Sequence, residues 1–407
     1  MPINHHMQKE AESNSNLLYI NGLRAIAALY VLFHHAILQY YETIPDELHG
    51  FKKLIIYIFH QGELFVDLFI VLSGYCLMRP VIRMGYQLQG GSAVFFKKRM
   101  VRILPSYYLA MLLSLILIWL FVGKETGTHW DMSIPVNTES VISHLFLVHD
   151  VFSSQAFTIN HSFWSISVEC RIYILFPLIV YLWLKKGPWY TLLLFTIASI
   201  LIYQVLYFAQ DKTNNINLYT PGFSPYVILF IMGMLAADFS LTTGKLNVYL
   251  SKVNWGLILI GSVILFVTTR IIINKTYVDA QTFTYQFINI TFGIICSVLL
   301  IVCANPGTNK VFLYITNALS WQPLVFLGTF AYSIYLIHAP LIQLLTQYVV
   351  MPIHLSRFNA SMALLVFCIL VIIPVSYLFY LVGEKPFLKF GKRYKKSDDV
   401  AVGSPAI

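Results

Sequence analysis

Residues 17–40 read LLYINGLRAIAALYVLFHHAILQY, an apolar stretch long enough to cross a bilayer as a helix. Within it, His35 follows Arg24 by eleven positions. Eleven steps of about 100° return to nearly the same face of a helix, about 16 Å further along its axis. Because ionisable side chains at membrane depth cost roughly 2.5–3.5 kcal/mol or more each, the pair indicates a site or a pathway. The alternative is an Arg at the headgroup level and a His bonded to a neighbouring helix.

The composition of the whole chain is that of a polytopic membrane protein. Of its 407 residues, 58% are hydrophobic and only 11% are charged, and the mean hydropathy is +0.70. No soluble core of this size would leave so little polar surface. We therefore predict an all-α protein of about ten transmembrane helices, at about 18–40, 54–78, 103–122, 163–184, 189–208, 223–239, 254–273, 286–304, 324–348 and 360–383. A further apolar stretch at 140–152 is too short to span and is expected to lie at the interface or to re-enter.

The distribution of basic residues predicts the orientation. Eighteen of the 27 Lys and Arg residues lie in segments that are cytosolic if the N-terminus is inside. This bias predicts both termini inside an inner or plasma membrane, and it explains most of the +9 net charge without a nucleic-acid partner. The chain then divides into a polar cytosolic N-terminus (1–17), a transmembrane domain (18–390) and a cytosolic basic tail (391–407), which is expected to be disordered.

The cysteines and the N-terminus carry no special signal. The five cysteines fall in or beside hydrophobic segments without metal-type spacing, so we predict neither a disulfide framework nor a metal site. The first seventeen residues are polar and lack the short apolar segment of a cleavable signal peptide.

A basic cluster precedes the third predicted helix, in FFKKRMVRILPSYY at 95–108. Arg99 and Arg102 are three apart and share one face of a helical turn. The positive-inside rule alone accounts for basic residues there. The functional interpretation is a phosphate clamp, because Arg offers bidentate geometry to phosphate oxygens. Together with Arg24, these guanidiniums would suit a polyphosphorylated cytosolic compound such as a coenzyme A thioester.

The second predicted helix contains GELFVDLFIVLSGYCLMRP at 62–80. Asp67 needs a partner in this apolar run, and His35 is expected at a compatible depth in the neighbouring helix. A carboxylate beside a His is a general-base arrangement. Deeper in the helix, Ser73 and Gly74 form a small pair where a backbone or a thin ligand can approach.

Two later helices carry polar side chains on one face. In the fourth predicted helix, these are Ser162, Ser165, Glu169 and Tyr173, spaced three, four and four. They must face the protein interior or water, and they either handle a hydroxyl or a proton or bond one helix to another. In the ninth, AYSIYLIHAP at 331–340 holds a ladder of Tyr332, Tyr335 and His338, with Pro340 one turn later. His338 is either a packing element or a second proton handler.

Taken together, these segments resemble the membrane acyltransferase-3 family, O-acyltransferases that modify bacterial surface polysaccharides and related sugars. The resemblance covers nearly the whole chain. Its motifs, in chain order, are Arg24-x10-His35, the helix with Ser73-Gly74-Tyr75, Arg99-x-x-Arg102, FWSISVE ending at Glu169, and YSIYLIHAP with His338. One departure lies after Glu169, where the family often has a second acidic residue and a Gln and this chain has Cys170 and Arg171.

The resemblance implies O-acyl transfer, most often of acetyl. His35 would be the catalytic imidazole, while Arg24, Arg99 and Arg102 would handle acetyl-CoA or another acyl-CoA as the donor substrate, with no tightly bound cofactor. Asp67 and Glu169 are predicted to assist catalysis, and Ser73, Ser165, Tyr335 and His338 to line a substrate or proton path. The acceptor would be a hydroxyl of a glycan or glycolipid, reached among membrane lipids. Some family members carry an extracytoplasmic hydrolase-like domain without counterpart in this sequence, so acceptor specificity is expected in the helices, the outer loops or a separate protein.

A transporter or flippase is the rival hypothesis, in which the same intramembrane polar residues form a proton or substrate path without bond formation. Transporters often show interrupted helices in two symmetry-related halves, and no such halves are evident in this sequence.

Overall fold

The computed structural model describes residues 18–213, 215–218, 225–241, 252–275 and 286–388. These residues are almost entirely helical and contain no β-strand. The helices of the first half are α1 (Leu18–Leu38), α2 (Gly50–Phe59), α3 (Glu63–Arg83), α4 (Gly91–Leu117), α5 (Thr138–Leu145), α6 (Trp164–Lys186) and α7 (Pro188–Thr213). Those of the second half are α8 (Tyr226–Leu241), α9 (Trp255–Lys275), α10 (Gln286–Ala304), α11 (Lys310–Leu319), α12 (Gln322–Gly328), α13 (Ala331–Leu345), α14 (Arg357–Phe367) and α15 (Ile373–Phe379).

The all-α prediction is confirmed. Nine helical stretches among the described residues are long and apolar enough to span a membrane, or ten if the bent pair α11 and α12 counts as one. α8, predicted as a span, has only 16 residues, or about 24 Å of helix. The predicted tail at 391–407 and the N-terminal segment at 1–17 lie outside the described residues.

Several predicted boundaries differ from the structure, and two of them bear on the site. The third span was expected to begin at 103, but α4 begins at Gly91, so Arg99 and Arg102 lie within its helix. Hydropathy detects only the apolar part of a helix, and basic residues extend this one beyond it. The ninth span was expected at 324–348, whereas α12 ends at Gly328 and α13 begins at Ala331. α11 and α12 are bent by 54° relative to each other.

Glycines bring the central helices into backbone contact. A Cβ on Gly74 would lie 2.0 Å from the carbonyl oxygen of Phe230, and one on Gly233 would lie 2.0 Å from that of Val71. α3 and α8 therefore touch backbone to backbone, as small residues permit in membranes. This contact explains the small pair predicted in α3, because Gly74 faces α8 and leaves Ser73 to face elsewhere.

Glycines also bring α1 into backbone contact with α11 and α12. Cβ atoms on Gly22 and Gly328 would lie 1.8 Å from the carbonyl oxygen of Leu319 and 2.0 Å from that of Asn21. At the perimeter, α7 and α9 expose most of their apolar side chains, as lipid-facing helices do.

The predicted short stretch at 140–152 belongs to a folded segment between α4 and α6. Asn137 and Ser140 form a reciprocal capping box at the start of α5. Arg171 of α6 donates to both carboxylate oxygens of the buried Asp150. Arg171 therefore bonds to this segment rather than to Glu169, and anchors it on α6.

Candidate active site

A cavity of about 590 Å³ lies among α1, α3, α4, α6, α12, α13 and the end of the last span. Seven of the ten predicted site residues line it, namely Arg24, Ser73, Arg99, Arg102, Ser165, Glu169 and Tyr335. The other three, His35, Asp67 and His338, do not. We call the part lined by Arg24, Arg99 and Arg102 the arginine end, and the region beyond Tyr335 that holds His35 and His338 the histidine end.

The three guanidiniums line the arginine end of the cavity. Arg24 donates from Nη2 to the sulfur of Cys76 at 3.4 Å. Arg99 lies over the ring of Phe95, and its Nε is buried without a hydrogen-bond partner among the described residues. Within the described ranges, none of the three forms an ion pair with a carboxylate. The cavity wall holds these three arginines and Lys385 against two carboxylates, and this excess of positive charge favours an anion.

Glu384 also lines the cavity at this end. Its Oε2 accepts a hydrogen bond of 2.6 Å from Ser333, and no ion pair joins it to Arg24 in the described part of the chain. Arg24 and Glu384 therefore line the same cavity without an ion pair between them.

The middle of the cavity holds a compact polar group. Ser73 donates to Oε1 of Glu169 at 2.7 Å and lies 2.6 Å from the hydroxyl of Tyr173, which also donates to Glu169. The polar face predicted for this helix thus points inward. The half of this face that holds Glu169 and Tyr173 contacts α3, and both side chains have hydrogen-bond partners within the cavity wall.

The other half of that polar face, which holds Ser162 and Ser165, contacts α13. Ser165 lies 2.6 Å from the hydroxyl of Tyr335, which donates to the carbonyl of Ser162 at 2.8 Å. The ring of Phe69 meets Tyr335 edge-on, with 5.8 Å between centroids. These three side chains form the boundary between the cavity and the histidine end.

Beyond this boundary, His35 and His338 are in direct contact. His338 Nδ1 lies 2.7 Å from the carbonyl oxygen of Tyr335, and a carbonyl only accepts, so this nitrogen carries the proton. His338 Nε2 is then an acceptor, and it lies 3.0 Å from Nδ1 of His35. His35 Nδ1 also lies 3.0 Å from the carbonyl of Val31. His35 is therefore protonated on Nδ1, and its Nε2 keeps the lone pair.

The predicted pairing of Asp67 with His35 is not what the structure contains. Asp67 is buried, its Oδ2 has no hydrogen-bond partner among the described residues, and it lies near Tyr226 and Cys296. Its face of α3 turns toward α8 and α10, whereas His35 turns toward α13. Similar depth on neighbouring helices did not ensure contact, because the rotation of each helix about its axis also has to match.

Pro340 serves this region without interrupting α13. A proline has no N–H, so the carbonyl of Leu336, four residues earlier, lacks its helical donor. Asn160 donates to that carbonyl from Nδ2 at 3.0 Å, and its Oδ1 accepts from Ser162 Oγ at 2.7 Å. Asn160 thereby attaches the segment before α6 to α13 next to His338.

Two further histidines lie beside His35, and neither was predicted from the sequence. The ring centroid of His161 is 4.7 Å from that of His35 and 4.8 Å from that of His129. Burial lowers the pKa of His129 to about 4, and burial followed by the neighbouring imidazoles lowers the pKa of His161 well below its usual range. Both rings are therefore neutral at pH 7. In the sequence, only their positions indicated a role. His129 lies in a loop and His161 lies just before a helix, and both are near polar motifs.

Comparison with known proteins agrees with this geometry. A family model described as "Acyltransferase domain" matches residues 17–381. YrhL of Bacillus subtilis is 25% identical over 338 residues, which cover 76% of this chain and 50% of its own. The peptidoglycan O-acetyltransferase OatA of Listeria monocytogenes is 22% identical over 341 residues, 80% of this chain and 49% of its own. The O-acetyltransferase OatA of Staphylococcus aureus is 22% identical over 347 residues, 81% and 51% respectively.

The chain spans about half the length of these curated relatives. A search of solved structures found no significant match. Because the family model covers most of the described helices and both ends of the cavity, the chain belongs to the membrane acyltransferase-3 family.

Proposed function

We propose that this protein is a membrane O-acetyltransferase that moves an acetyl group from cytosolic acetyl-CoA to a hydroxyl of a surface polysaccharide. The observation that carries the proposal is a cavity with three guanidiniums at one end and an imidazole beyond the other. The guanidiniums form no ion pair among the described residues, and His35, with the lone pair on Nε2, lies behind the side chains that close the cavity at Tyr335.

The arginine end suits the donor. Coenzyme A carries several phosphates, and Arg binds phosphate oxygens with paired N–H donors. The buried, unpartnered Nε of Arg99 gains most from such a ligand, because an unsatisfied buried donor costs free energy until it is bonded. From Arg24, the thin arm of the donor has to extend about 16 Å along α1 to bring its thioester near His35.

The histidine end suits the reaction. The acceptor hydroxyl oxygen attacks the thioester carbonyl carbon, the carbon–sulfur bond breaks, and the hydroxyl proton goes to Nε2 of His35. The departing thiolate then takes up a proton, and the ester remains on the acceptor. A positioned general base typically contributes about 10²–10⁴-fold to the rate. His338 is a positioning residue here, because its Nε2 fixes the tautomer of His35.

Glu169 and Ser73 support the path between the ends. Both side chains line the cavity and are joined by a hydrogen bond, so an acyl group that passes through the cavity would meet them. The transfer is either direct or proceeds through a transient ester on the enzyme, and a relay would explain how a cytosolic donor serves an acceptor on the far side.

The acceptor proposal draws on the relatives. OatA of Listeria monocytogenes bears the name of a peptidoglycan O-acetyltransferase, so peptidoglycan is the first polysaccharide to test.

The test is a comparison of surface glycan from deletion cells complemented with the wild-type or the His35→Ala gene. Mass spectrometry should detect an alkali-labile acetyl increment with the wild-type gene, and with His35→Ala it should not. A transporter would leave no new ester in either strain, and that result would reject the enzyme.

Sidedness is tested separately by cysteine labelling in a background without the five native cysteines. Cysteines at the exposed positions Glu125 and Asn215 should react with an impermeant reagent from outside, and one at Gln89 only after permeabilisation. Labelling of Gln89→Cys in intact cells would put the arginine end away from cytosolic acetyl-CoA and overturn the donor assignment.

A further inference from the structure

Three histidines from three separate parts of the chain converge at the histidine end. His35 comes from α1, His129 from the loop after α4, and His161 from the approach to α6. One ring nitrogen of each histidine lies within 4.8 Å of one ring nitrogen of each of the other two. The mechanism proposed above uses only His35, so the other two imidazoles have no role in it.

Two of the three rings are oriented by a hydrogen bond on Nδ1. His35 Nδ1 lies 3.0 Å from His338 Nε2, and His161 Nδ1 lies 3.1 Å from Ser133 Oγ. The third ring, that of His129, has its Nδ1 3.8 Å from a carboxylate oxygen of Glu42, which is beyond hydrogen-bond distance. Metal-bound histidines are commonly held as the first two are, with the far nitrogen bonded to another polar group.

The remaining nitrogens are available as ligands. His161 Nε2 is buried and has no hydrogen-bond partner among the described residues. The hydrogen bonds that His35 makes to other described residues involve Nδ1, which leaves the lone pair of Nε2 available. A buried ring nitrogen without a partner is costly, and a bound cation removes that cost.

The ligand set points to one class of ion. Neutral imidazoles without a carboxylate favour Zn²⁺ and similar divalent transition metals over Mg²⁺ or Ca²⁺. A tetrahedral ion with metal–nitrogen distances of about 2.0–2.1 Å holds its ligand nitrogens about 3.4 Å apart. Closing the observed separation of up to 4.8 Å therefore takes side-chain movements of about 1 Å or less. Three protein ligands leave a fourth position for water.

We propose that His35, His129 and His161 bind one divalent transition-metal ion of the Zn²⁺ type, and that binding blocks acetyl transfer. The ion would bond to Nε2 of His35, the same atom that takes the proton from the acceptor hydroxyl. Metal and proton therefore compete for one lone pair. The blocking effect rests on the proposed function, whereas the binding does not.

The binding is tested on the full-length protein purified with a tag that contains no histidine. Because the adjacent His5 and His6 can themselves hold Zn²⁺, the titrations use the His5→Ala, His6→Ala background. Calorimetric titration should give one Zn²⁺ per chain, and Co²⁺ should give the visible absorption of a tetrahedral site.

Variants separate a metal site from chance proximity. His129→Ala and His161→Ala should each weaken Zn²⁺ binding by more than about 100-fold, since even partners of a ligand typically matter by about 10–100-fold. Ser133→Ala should weaken it about tenfold. The matched control is His49→Ala, which removes an exposed histidine that caps nothing with its side chain, and binding should be unchanged. Thermal melting of each variant shows that the fold is retained.

Wild-type binding no tighter than that of His129→Ala would overturn the metal site, as would stoichiometric binding that survives His161→Ala. In the transfer assay, Zn²⁺ should inhibit and a chelator should restore the rate. The Zn²⁺ concentration that halves the transfer rate should be at least about tenfold higher for His129→Ala than for the wild type. Each rate is expressed relative to the zinc-free rate of the same protein. Binding without inhibition would overturn the blocking effect alone. A wild-type protein that binds Zn²⁺ but transfers no acetyl even after the metal has been removed by a chelator would reject the proposed function and leave the metal site standing.

Discussion

The arginine end of the cavity and the histidine end beyond it differ in the kind of charge that they hold. The arginine end has three guanidiniums, which stay protonated at any physiological pH and form no ion pair within the described residues. The histidine end has imidazoles that bond to carbonyls, hydroxyls and one another, and whose lone pairs are the reactive feature. A permanent cation can bind an anion but cannot exchange a proton, whereas a neutral imidazole can take one. We infer that the arginine end determines affinity for the donor and the histidine end determines rate.

The largest expected effect is at the histidine end. His35→Ala should lower kcat for acetyl transfer by at least about 100-fold, because it removes the proposed base. The measurement is acetyl transfer from labelled acetyl-CoA in membranes with matched protein levels. The control is His34→Ala, which removes a neighbouring imidazole that bonds to the carbonyl of Phe59 on another face of α1. Equal losses in both variants would mean that packing of α1, and not a base, was disturbed.

At the arginine end, the expected effect is on KM. Arg24→Ala and Arg99→Ala should each raise the KM for acetyl-CoA about 10–100-fold, because a hydrogen bond to a charged group contributes about 1.5–3 kcal/mol. At saturating donor, kcat should stay near the wild-type value. The matched control is Arg83→Ala, an exposed arginine at the end of α3 that does not line the cavity. A fall in kcat at unchanged KM would contradict the division of labour between the two ends.

A smaller effect is expected for the residue that orients His35. His338→Phe should lower kcat about tenfold with little change in the donor KM. Phe cannot accept a hydrogen bond from Nδ1–H of His35, so the tautomer of His35 is no longer fixed. His338→Gln restores an acceptor and should recover part of the rate. If both variants behave alike, the contact with His35 serves packing only.

The smallest effect is expected midway between the ends. Ser73→Ala removes one hydrogen bond to Glu169, while Tyr173 still donates to the same oxygen. A net contribution of about 0.5–1.5 kcal/mol corresponds to a loss of roughly two- to tenfold in kcat/KM. A loss comparable to that of His35→Ala would instead make Ser73 a nucleophile in a covalent relay, which trapping with a labelled donor would reveal.

Helical periodicity was enough to identify most of the polar side chains in the cavity wall. The polar residues of α6, the tyrosines of α13 and the three guanidiniums were each predicted from spacing, and the structure places them around one cavity. This succeeded because a helix fixes which of its own residues share a face.

Partners on other helices could not be predicted in the same way. Asp67 was matched to His35 by depth alone, yet the helix rotations set by Gly74 and Gly233 turn Asp67 toward α8 and leave His35 to meet His338. Hydropathy likewise did not predict where α4 begins. Its first turns include basic residues, and charged residues lower the hydropathy without ending a helix.

By itself, the sequence determined that this chain is a helical membrane protein, which of its ionisable residues lie at membrane depth, and which of them share a helix face. Tertiary structure alone decided that His129 and His161 join His35, that Asn160 fills the position opened by Pro340, and that Ser133 and His338 orient the imidazoles. The physical reason is that periodicity and burial cost act within one helix, whereas contacts between elements depend on backbone approach and rotation, which are properties of the packed bundle.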